Sequence, residues 1–167
     1  MLVSAKFSQC FILALLFGLT CHAGTINGRV VSVADGDTVT VLTADKVQHK
    51  IRLSGVDAPE KAQAFGNRSK ESLSGLVYDK TVTVETEKKD RYGRDVGKVL
   101  VNGMDVNLEQ VQRGFAWHYK EYEREQSSND RKLYDLAERA ARAARRGLWL
   151  DAEPLPPWEF RKTKRNQ

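Results

Sequence analysis

Hydrophobic and polar residues alternate in several short stretches of the chain, which is the pattern of half-buried β-strands. In the stretch 38–42, for example, Val39 and Val41 share one face. The alternation predicts strands at 30–33, 38–42, 47–53, 81–87 and 96–101. Asp35-Gly36 is a strong turn signal, so we expect the chain to turn between the first two strands.

Three other segments repeat apolar residues at helical spacing. The predicted helices cover about 69–78, then 105–114, and finally a segment from Asn129 or Asp130 to Gly147. The third helix carries an apolar stripe made of Leu133, Leu136, Ala137, Ala140 and Ala144. Its charged residues form i,i+4 pairs, Asp135–Arg139 and Glu138–Arg142, each worth about 0.2–0.5 kcal/mol.

The order of these elements predicts the fold class. Three strands are followed by a helix, two strands and two helices. Five short strands with a helix between the third and the fourth is the order of an OB barrel. We therefore expect an α+β fold, built on an OB-fold five-stranded barrel with three helices.

Residues 1–23 have the pattern of a secretory signal peptide. Lys6 precedes an uncharged run at 11–20, and Ala23 is a small residue at the expected cleavage point. A membrane anchor is a poorer match, because spanning a bilayer takes about 20 apolar residues. A lipoprotein would be acylated at Cys21, but Gly18-Leu19-Thr20 before it has no large aliphatic residue first. We expect a secreted or periplasmic protein that is free of the membrane after cleavage.

Composition narrows the class of protein further. Of the 167 residues, 41% are hydrophobic and 29% charged, which excludes a disordered or collagen-like chain. Lys and Arg number 27 against 22 Asp and Glu, and this basic excess suits a polyanionic partner. We divide the chain into a signal peptide at 1–23, an OB domain at 24–150 and a flexible, Pro-containing basic C-terminal tail at 151–167.

Charge is concentrated at the ends of the predicted elements. The charged motifs are Asp-Gly-Asp-Thr-Val at 35–39, Ile-Arg-Leu at 51–53, Val-Asp-Ala-Pro-Glu at 56–60 and Asp-Arg-Tyr-Gly-Arg at 90–94. Each motif alone is typical of an ordinary turn or loop. Together and in this order they resemble the thermonuclease family, whose prototype is staphylococcal nuclease. The resemblance extends from Val30 to Trp149.

The resemblance implies an OB barrel that uses Ca²⁺ to hydrolyse phosphodiester bonds of DNA and RNA, leaving 3′-phosphate ends. By the same match, Asp37 and Asp57 would bind the metal through their carboxylates and Ala58 through its backbone carbonyl. Calcium is a hard cation that takes oxygen ligands, so these donors suit it.

The resemblance also assigns three catalytic residues. Arg52 and Arg94 match the two arginines that hold the phosphate, and Glu60 matches the general base or the group that orients the attacking water. Arginine suits the first role because its guanidinium offers paired N–H donors in a fixed fork. Alternation along 47–53 places Arg52 opposite Ile51 and Leu53, away from the apolar core and towards a groove.

Substrate contacts are expected from a second group of residues. Arg91 and Tyr92 lie in the charged motif at 90–94, and Tyr119 and Tyr122 are candidates for stacking on bases. Trp117 lies beside them and either contacts the nucleotide or packs the last helix on the barrel. The implied partners are DNA and RNA substrates, with no stable protein partner and a monomeric enzyme.

A non-catalytic nucleic-acid-binding OB module is the alternative from a different functional class. Such a module keeps the barrel but has no need for a complete set of charged site residues. The presence of all five charged residues favours an enzyme, namely Asp37, Arg52, Asp57, Glu60 and Arg94.

Overall fold

Five long strands form a closed barrel in the structure, a computed structural model that describes residues 24–165. The five barrel strands are β1 (Gly24–Val33), β2 (Thr38–Thr43), β3 (Gln48–Leu53), β5 (Thr81–Lys89) and β6 (Asp95–Val101). Three two-residue strands accompany them, β4 (Val56–Asp57), β7 (Met104–Asp105) and β8 (Trp117–His118). Neighbours pair in the order β3-β2-β1-β5-β6, and a parallel pairing of β3 with β6 closes the barrel. The predicted OB-fold barrel and its five strands are confirmed.

β-branched side chains fill the barrel because their stiff χ1 angles suit a pleated surface. The buried inward positions include Val30, Val39, Val41, Ile51, Val82, Val84 and Val99, none more than 1% exposed. Burying such a side chain stabilises the fold by about 1.5–3 kcal/mol. The barrel is therefore a packed core, and polar chemistry is confined to its outer surface and its ends.

Helices cover one side of the barrel. They are α1 (Gly66–Val77), α2 (Val106–Gln112), α3 (Ser128–Ala143) and α4 (Pro157–Arg165). Asp105 caps α2 as predicted, since its carboxylate accepts from the N–H of Leu108 at 3.0 Å. Two short 3₁₀ segments at Lys120–Glu125 and Gly147–Leu150 precede and follow α3.

Asn107 fixes α2 to the barrel. Its side chain is fully buried, donates to the carbonyls of Ser54 and Gly97, and accepts from the N–H of Val99, at distances between 3.0 and 3.2 Å. One amide thus satisfies three buried backbone groups from two parts of the chain.

The contact face of α3 differs from the predicted apolar stripe. Leu133 and Leu136 are 42% and 60% exposed. Ala140 and Ala144 are exposed as well, so Ala137 is the one residue of the predicted stripe that is buried. The other buried residues of this helix are Tyr134, Glu138 and Ala141. Polar partners explain the difference, because the Tyr134 hydroxyl donates to Asp105 at 2.9 Å and Glu138 accepts from the His118 N–H at 3.1 Å.

Two local predictions about α3 have different outcomes. The helix is capped by Ser127, whose hydroxyl accepts from the N–H of Asp130 at 3.0 Å, and not by Asn129 or Asp130. Both predicted i,i+4 ion pairs are present, from Asp135 to Arg139 and from Glu138 to Arg142.

The expectation of a flexible tail is wrong for Pro157–Arg165, which forms α4. The ring of Trp158 stacks on Tyr119 with centroids 5.4 Å apart and planes inclined by 11°. The predicted signal peptide at 1–23 lies outside the described residues. Within 24–165, none of the helices is long and apolar enough to cross a membrane.

Candidate active site

A tight turn between β1 and β2 positions Asp37. Its N–H donates to the Asp35 carboxylate at 3.1 Å, and its carbonyl accepts from the N–H of Leu53 at 2.9 Å. Gly36 permits this turn, because a Cβ at that position would lie 1.8 Å from Oγ of Ser69. The turn therefore packs directly on α1, and the Asp37 carboxyl is held with little exposure to water.

Asp57 reaches the same place from β4, which pairs antiparallel with β8. Its side chain is 1% exposed. The next residue, Ala58, donates its backbone N–H to Oδ2 of Asp37 at 2.7 Å. The structure thus brings together the three residues that the sequence predicts as metal ligands.

Arg52 bridges the two carboxylates. Nη1 lies 3.2 Å from Oδ2 of Asp37, and Nη2 donates to Oδ1 of Asp57 at 2.9 Å. Nη1 also donates to the carbonyl of Val56 at 2.9 Å, so the guanidinium plane is fixed. As alternation predicts, Arg52 lies on the face of β3 opposite the buried Ile51.

Burial raises the pKa of both bridged carboxyls. The pKa of Asp37 is raised to about 7 by burial, against the opposing charge of Arg52 and with the help of the nearby Asp35 and Asp57. Burial also raises the pKa of Asp57, although Arg161 and Arg52 oppose the change. The ionised forms of both carboxyls would therefore be stabilised by a further cation at this place.

Arg94 is held by the loop between β5 and β6. Its Nε donates to Oδ2 of Asp90 at 2.6 Å, and its Nη1 lies 3.4 Å from the Thr38 hydroxyl. Partial burial disfavours the charge on Asp90, but hydrogen bonds from Arg94 and from the Tyr92 N–H lower its pKa overall. Asp90 therefore stays ionised and fixes the orientation of the Arg94 guanidinium.

A cavity of about 620 Å³ joins these groups. Every predicted site residue lines it: Asp37, Arg52, Asp57, Ala58, Glu60, Arg91, Tyr92, Arg94, Tyr119 and Tyr122. Glu60 lies at its edge with 41% of its side chain exposed. The cavity therefore combines buried carboxylates, fixed guanidinium groups and a carboxylate that water can reach.

Three tyrosine rings line the cavity, those of Tyr92, Tyr119 and Tyr122. Tyr92 is 68% exposed, with the guanidinium groups of Arg91 and Arg94 above its ring at 4.8 and 5.5 Å. Tyr119 and Tyr122 have ring centroids 5.0 Å apart, and Tyr122 is 43% exposed. Burial, the Asp57 charge and Glu121 raise the pKa of Tyr119 to about 12, so its hydroxyl is protonated at neutral pH.

Trp117 is a core residue. It is 6% exposed and meets Trp149 edge-on with centroids 4.4 Å apart. Of the two roles that the sequence leaves open for Trp117, the structure supports packing.

The match to known families decides between the enzyme and the binding module. Residues 50–151 match the family described as staphylococcal nuclease homologue. The chain belongs to the staphylococcal nuclease family. Its membership confirms the predicted family and a phosphodiester hydrolase that acts on nucleic acids.

Several relatives of this nuclease are similar over most of their length. An uncharacterized endonuclease of Haemophilus influenzae is 44% identical over 137 residues, which cover 82% of this chain and 74% of that protein. An uncharacterized endonuclease of Escherichia coli O157:H7 is 41% identical over 154 residues, or 92% and 96% of the two chains. A micrococcal nuclease of Shigella flexneri is 36% identical over 148 residues, or 83% and 82%.

Two residues at the site of this nuclease were not predicted from the sequence. Gln110 is buried and donates to the carbonyl of Gly36 at 2.9 Å, so α2 holds the turn that carries Asp37. Arg161 of α4 lies in the cavity and contacts Asp57 and Glu60. Neither position carries a sequence signal, because an isolated Gln on a helix and one basic residue in a basic tail are both common.

The nuclease offers a metal ion two carboxylates and backbone oxygens. Within 24–165, no group of three or more His, Cys, Asp or Glu side chains is arranged to hold a metal. The carboxylate oxygens of Asp37 and Asp57 are the donors that the structure brings together, each within 3.2 Å of Arg52. Such an all-oxygen set suits a hard divalent cation that keeps water in its remaining coordination positions.

Proposed function

We propose that this nuclease hydrolyses DNA and RNA in a calcium-dependent reaction that leaves 3′-phosphate ends. One observation carries the proposal: Arg52 joins two buried carboxylates at the edge of a cavity that Glu60 and Arg94 also line. A module that only binds nucleic acid gains nothing from burying two carboxylates at its binding surface, because they repel phosphate.

The metal would be held by Asp37, Asp57 and the carbonyl of Ala58. The raised pKa values of Asp37 and Asp57 support this assignment, because a divalent cation would favour the ionised form of both carboxyls. Bound there, calcium would polarise the phosphoryl group as a Lewis acid.

Three side chains perform the remaining chemistry. Glu60 is the best placed to accept a proton from water, because it is the more exposed carboxylate beside the two buried ones. Arg52 and Arg94 present N–H donors towards the cavity and stabilise charge that develops on the phosphate oxygens. Both guanidinium groups are fixed beforehand by carboxylates, so little reorganisation is needed during the reaction.

The tyrosine rings that line the cavity favour a broad range of nucleic-acid substrates. Tyr92 and Tyr122 present exposed ring surface at the cavity, and stacking on a ring tolerates any base. Arg91 adds positive charge for the phosphate backbone. These contacts recognise features common to single-stranded DNA and RNA.

Labelled DNA and RNA oligonucleotides test the activity and its products. The wild type should cleave both in calcium, and the products should resist extension by a polymerase until a phosphatase removes the 3′-phosphate. Arg94→Ala should lose activity, whereas Arg113→Ala should keep it, because Arg113 forms a similar ion pair with Glu109 away from the cavity. Products that are extended without phosphatase, or full activity of Arg94→Ala, would contradict the proposal.

Export is part of this proposal and rests on the signal-peptide pattern at 1–23. Mass spectrometry of the periplasmic and culture fractions should find an N-terminus at Gly24. A stable, uncleaved protein in the cytoplasm would contradict it.

A further inference from the structure

The guanidinium of Arg161 contacts two carboxylates that the proposed reaction uses, those of Asp57 and Glu60. Nη2 of Arg161 donates to Oδ2 of Asp57 at 2.8 Å, and Nη1 lies 3.2 Å from Oδ1 of the same residue. Nη1 also donates to Oε1 of Glu60 at 2.9 Å. A two-point Arg–carboxylate pair is among the strongest charge-assisted contacts in proteins. Arg161 therefore contacts both oxygens of a proposed metal ligand and one oxygen of the proposed base.

The helix that carries Arg161 has few other contacts with the barrel. Of the residues in α4, all of which the structure describes, only Pro157 is fully buried. Trp158 adds its stack on Tyr119 and an edge contact with Trp117 at 5.5 Å. The helix has nine residues, and isolated helices shorter than about 12 residues are marginal in water. Its position therefore depends largely on Trp158 and Arg161.

We propose that α4 is an autoinhibitory helix whose Arg161 must leave Asp57 before calcium binds. This inference rests on the proposed calcium site. Arg161 donates to both oxygens of Asp57, and Arg52 already contacts one of them, so a divalent cation reaches this carboxylate only after Arg161 leaves. Calcium and Arg161 therefore compete for one carboxylate.

Release of α4 would change three parts of the site together. Asp57 becomes available to the metal, and Glu60 loses its contact with Nη1 of Arg161. The ring of Tyr119 also loses the Trp158 stack, which frees one of its faces for a base. A single movement thus couples metal binding to the release of Glu60 and of one face of Tyr119.

Calcium affinity measured by titration calorimetry tests the competition. A site available in only a fraction of molecules binds with an apparent dissociation constant raised by the inverse of that fraction. Arg161→Ala should therefore bind calcium about tenfold more tightly than the wild type. Trp158→Ala should shift the affinity in the same direction without removing any charge. Arg165→Ala is the matched control, since it removes one positive charge from an exposed position of the same helix and should leave the affinity nearly unchanged.

Hydrogen exchange provides a second readout that does not depend on activity. Calcium should speed exchange of the amides in 157–165 of the wild type and should have no such effect on Asp57→Asn. If Arg161→Ala does not fold, Arg161→Gln makes the same test, because a neutral amide cannot form the ion pair.

The outcomes separate this inference from the proposed function. If the wild type binds calcium through Asp57, but Arg161→Ala and Trp158→Ala bind it no more tightly, autoinhibition is wrong and the calcium site stands. Weaker calcium binding by Arg161→Ala would also overturn the inference, since Arg161 would then support the site. If neither the wild type nor any variant binds calcium, both proposals fail.

Discussion

Replacing Asp37 by asparagine should stabilise the folded protein at neutral and alkaline pH. Burial raises the pKa of Asp37 from 3.8 to about 7. Between these two pH values the unfolded chain has lost a proton that the folded chain still holds. The stability contributed by this proton is complete below pH 3.8 and is lost as the pH rises through about 7.

The magnitude follows from the size of the pKa change. Each pKa unit corresponds to about 1.4 kcal/mol, so the ionised carboxyl lowers the free energy of unfolding by about 4 kcal/mol near pH 8. Asparagine has no proton to lose, and its side-chain oxygen can still accept from the Ala58 N–H. Its amide can donate to the Thr38 hydroxyl, which now donates to Asp37. The substitution therefore removes the charge and keeps the hydrogen bonds.

Urea unfolding followed by circular dichroism, in a calcium chelator, measures the difference. Asp37→Asn should be more stable than the wild type by about 4 kcal/mol near pH 8 and nearly equal to it near pH 4. Asp45→Asn is the control, because a hydrogen bond from Thr43 lowers the pKa of this exposed carboxyl, so its loss should not stabilise the protein. A stability difference for Asp37→Asn that does not change with pH would show that burial does not keep Asp37 protonated in the folded protein.

The other predictions concern a buried hydrogen-bonding residue, the proposed general base and a tyrosine proposed to stack on nucleobases. Asn107→Ala should lower the free energy of unfolding by about 2–5 kcal/mol in the same urea assay, because it leaves buried backbone groups without partners. Glu60→Gln should lower kcat by about 10²–10⁴-fold and change KM little in steady-state oligonucleotide hydrolysis, and a KM effect alone would contradict its role as base. Tyr122→Ala should raise KM more than it lowers kcat in that assay, since stacking is worth about 1–3 kcal/mol per base, and an unchanged KM would exclude stacking.

Much of the barrel and its charged residues could be predicted because both depend on local pattern. Alternation along β3 fixes which face carries Arg52, since neighbouring strands cannot turn a side chain to the other face without a register change. The turn at Gly36 and the loop at Asp90–Arg94 place charge at strand ends, where a closed barrel leaves room for a site.

The remaining parts depend on contacts between residues far apart in the chain. The buried face of α3 is chosen by Tyr134 and Glu138, whose partners Asp105 and His118 belong to earlier elements. Arg161 reaches Asp57 across 104 positions, and its own segment carries no pattern that distinguishes it from the neighbouring basic residues. A sequence pattern indicates only which nearby residues share a face of a helix or a strand. Contacts between residues far apart in the sequence are therefore seen only in the folded structure.

Plasmid digestion with calcium titrated against a chelator tests whether this nuclease needs the metal. Digestion should rise with calcium, stop when the chelator removes it, and return when calcium is restored. Asp57→Asn should need more calcium than the wild type, because calcium affinity follows the number of charged ligands. Digestion by the wild type that continues undiminished in the chelator would contradict the account of this site.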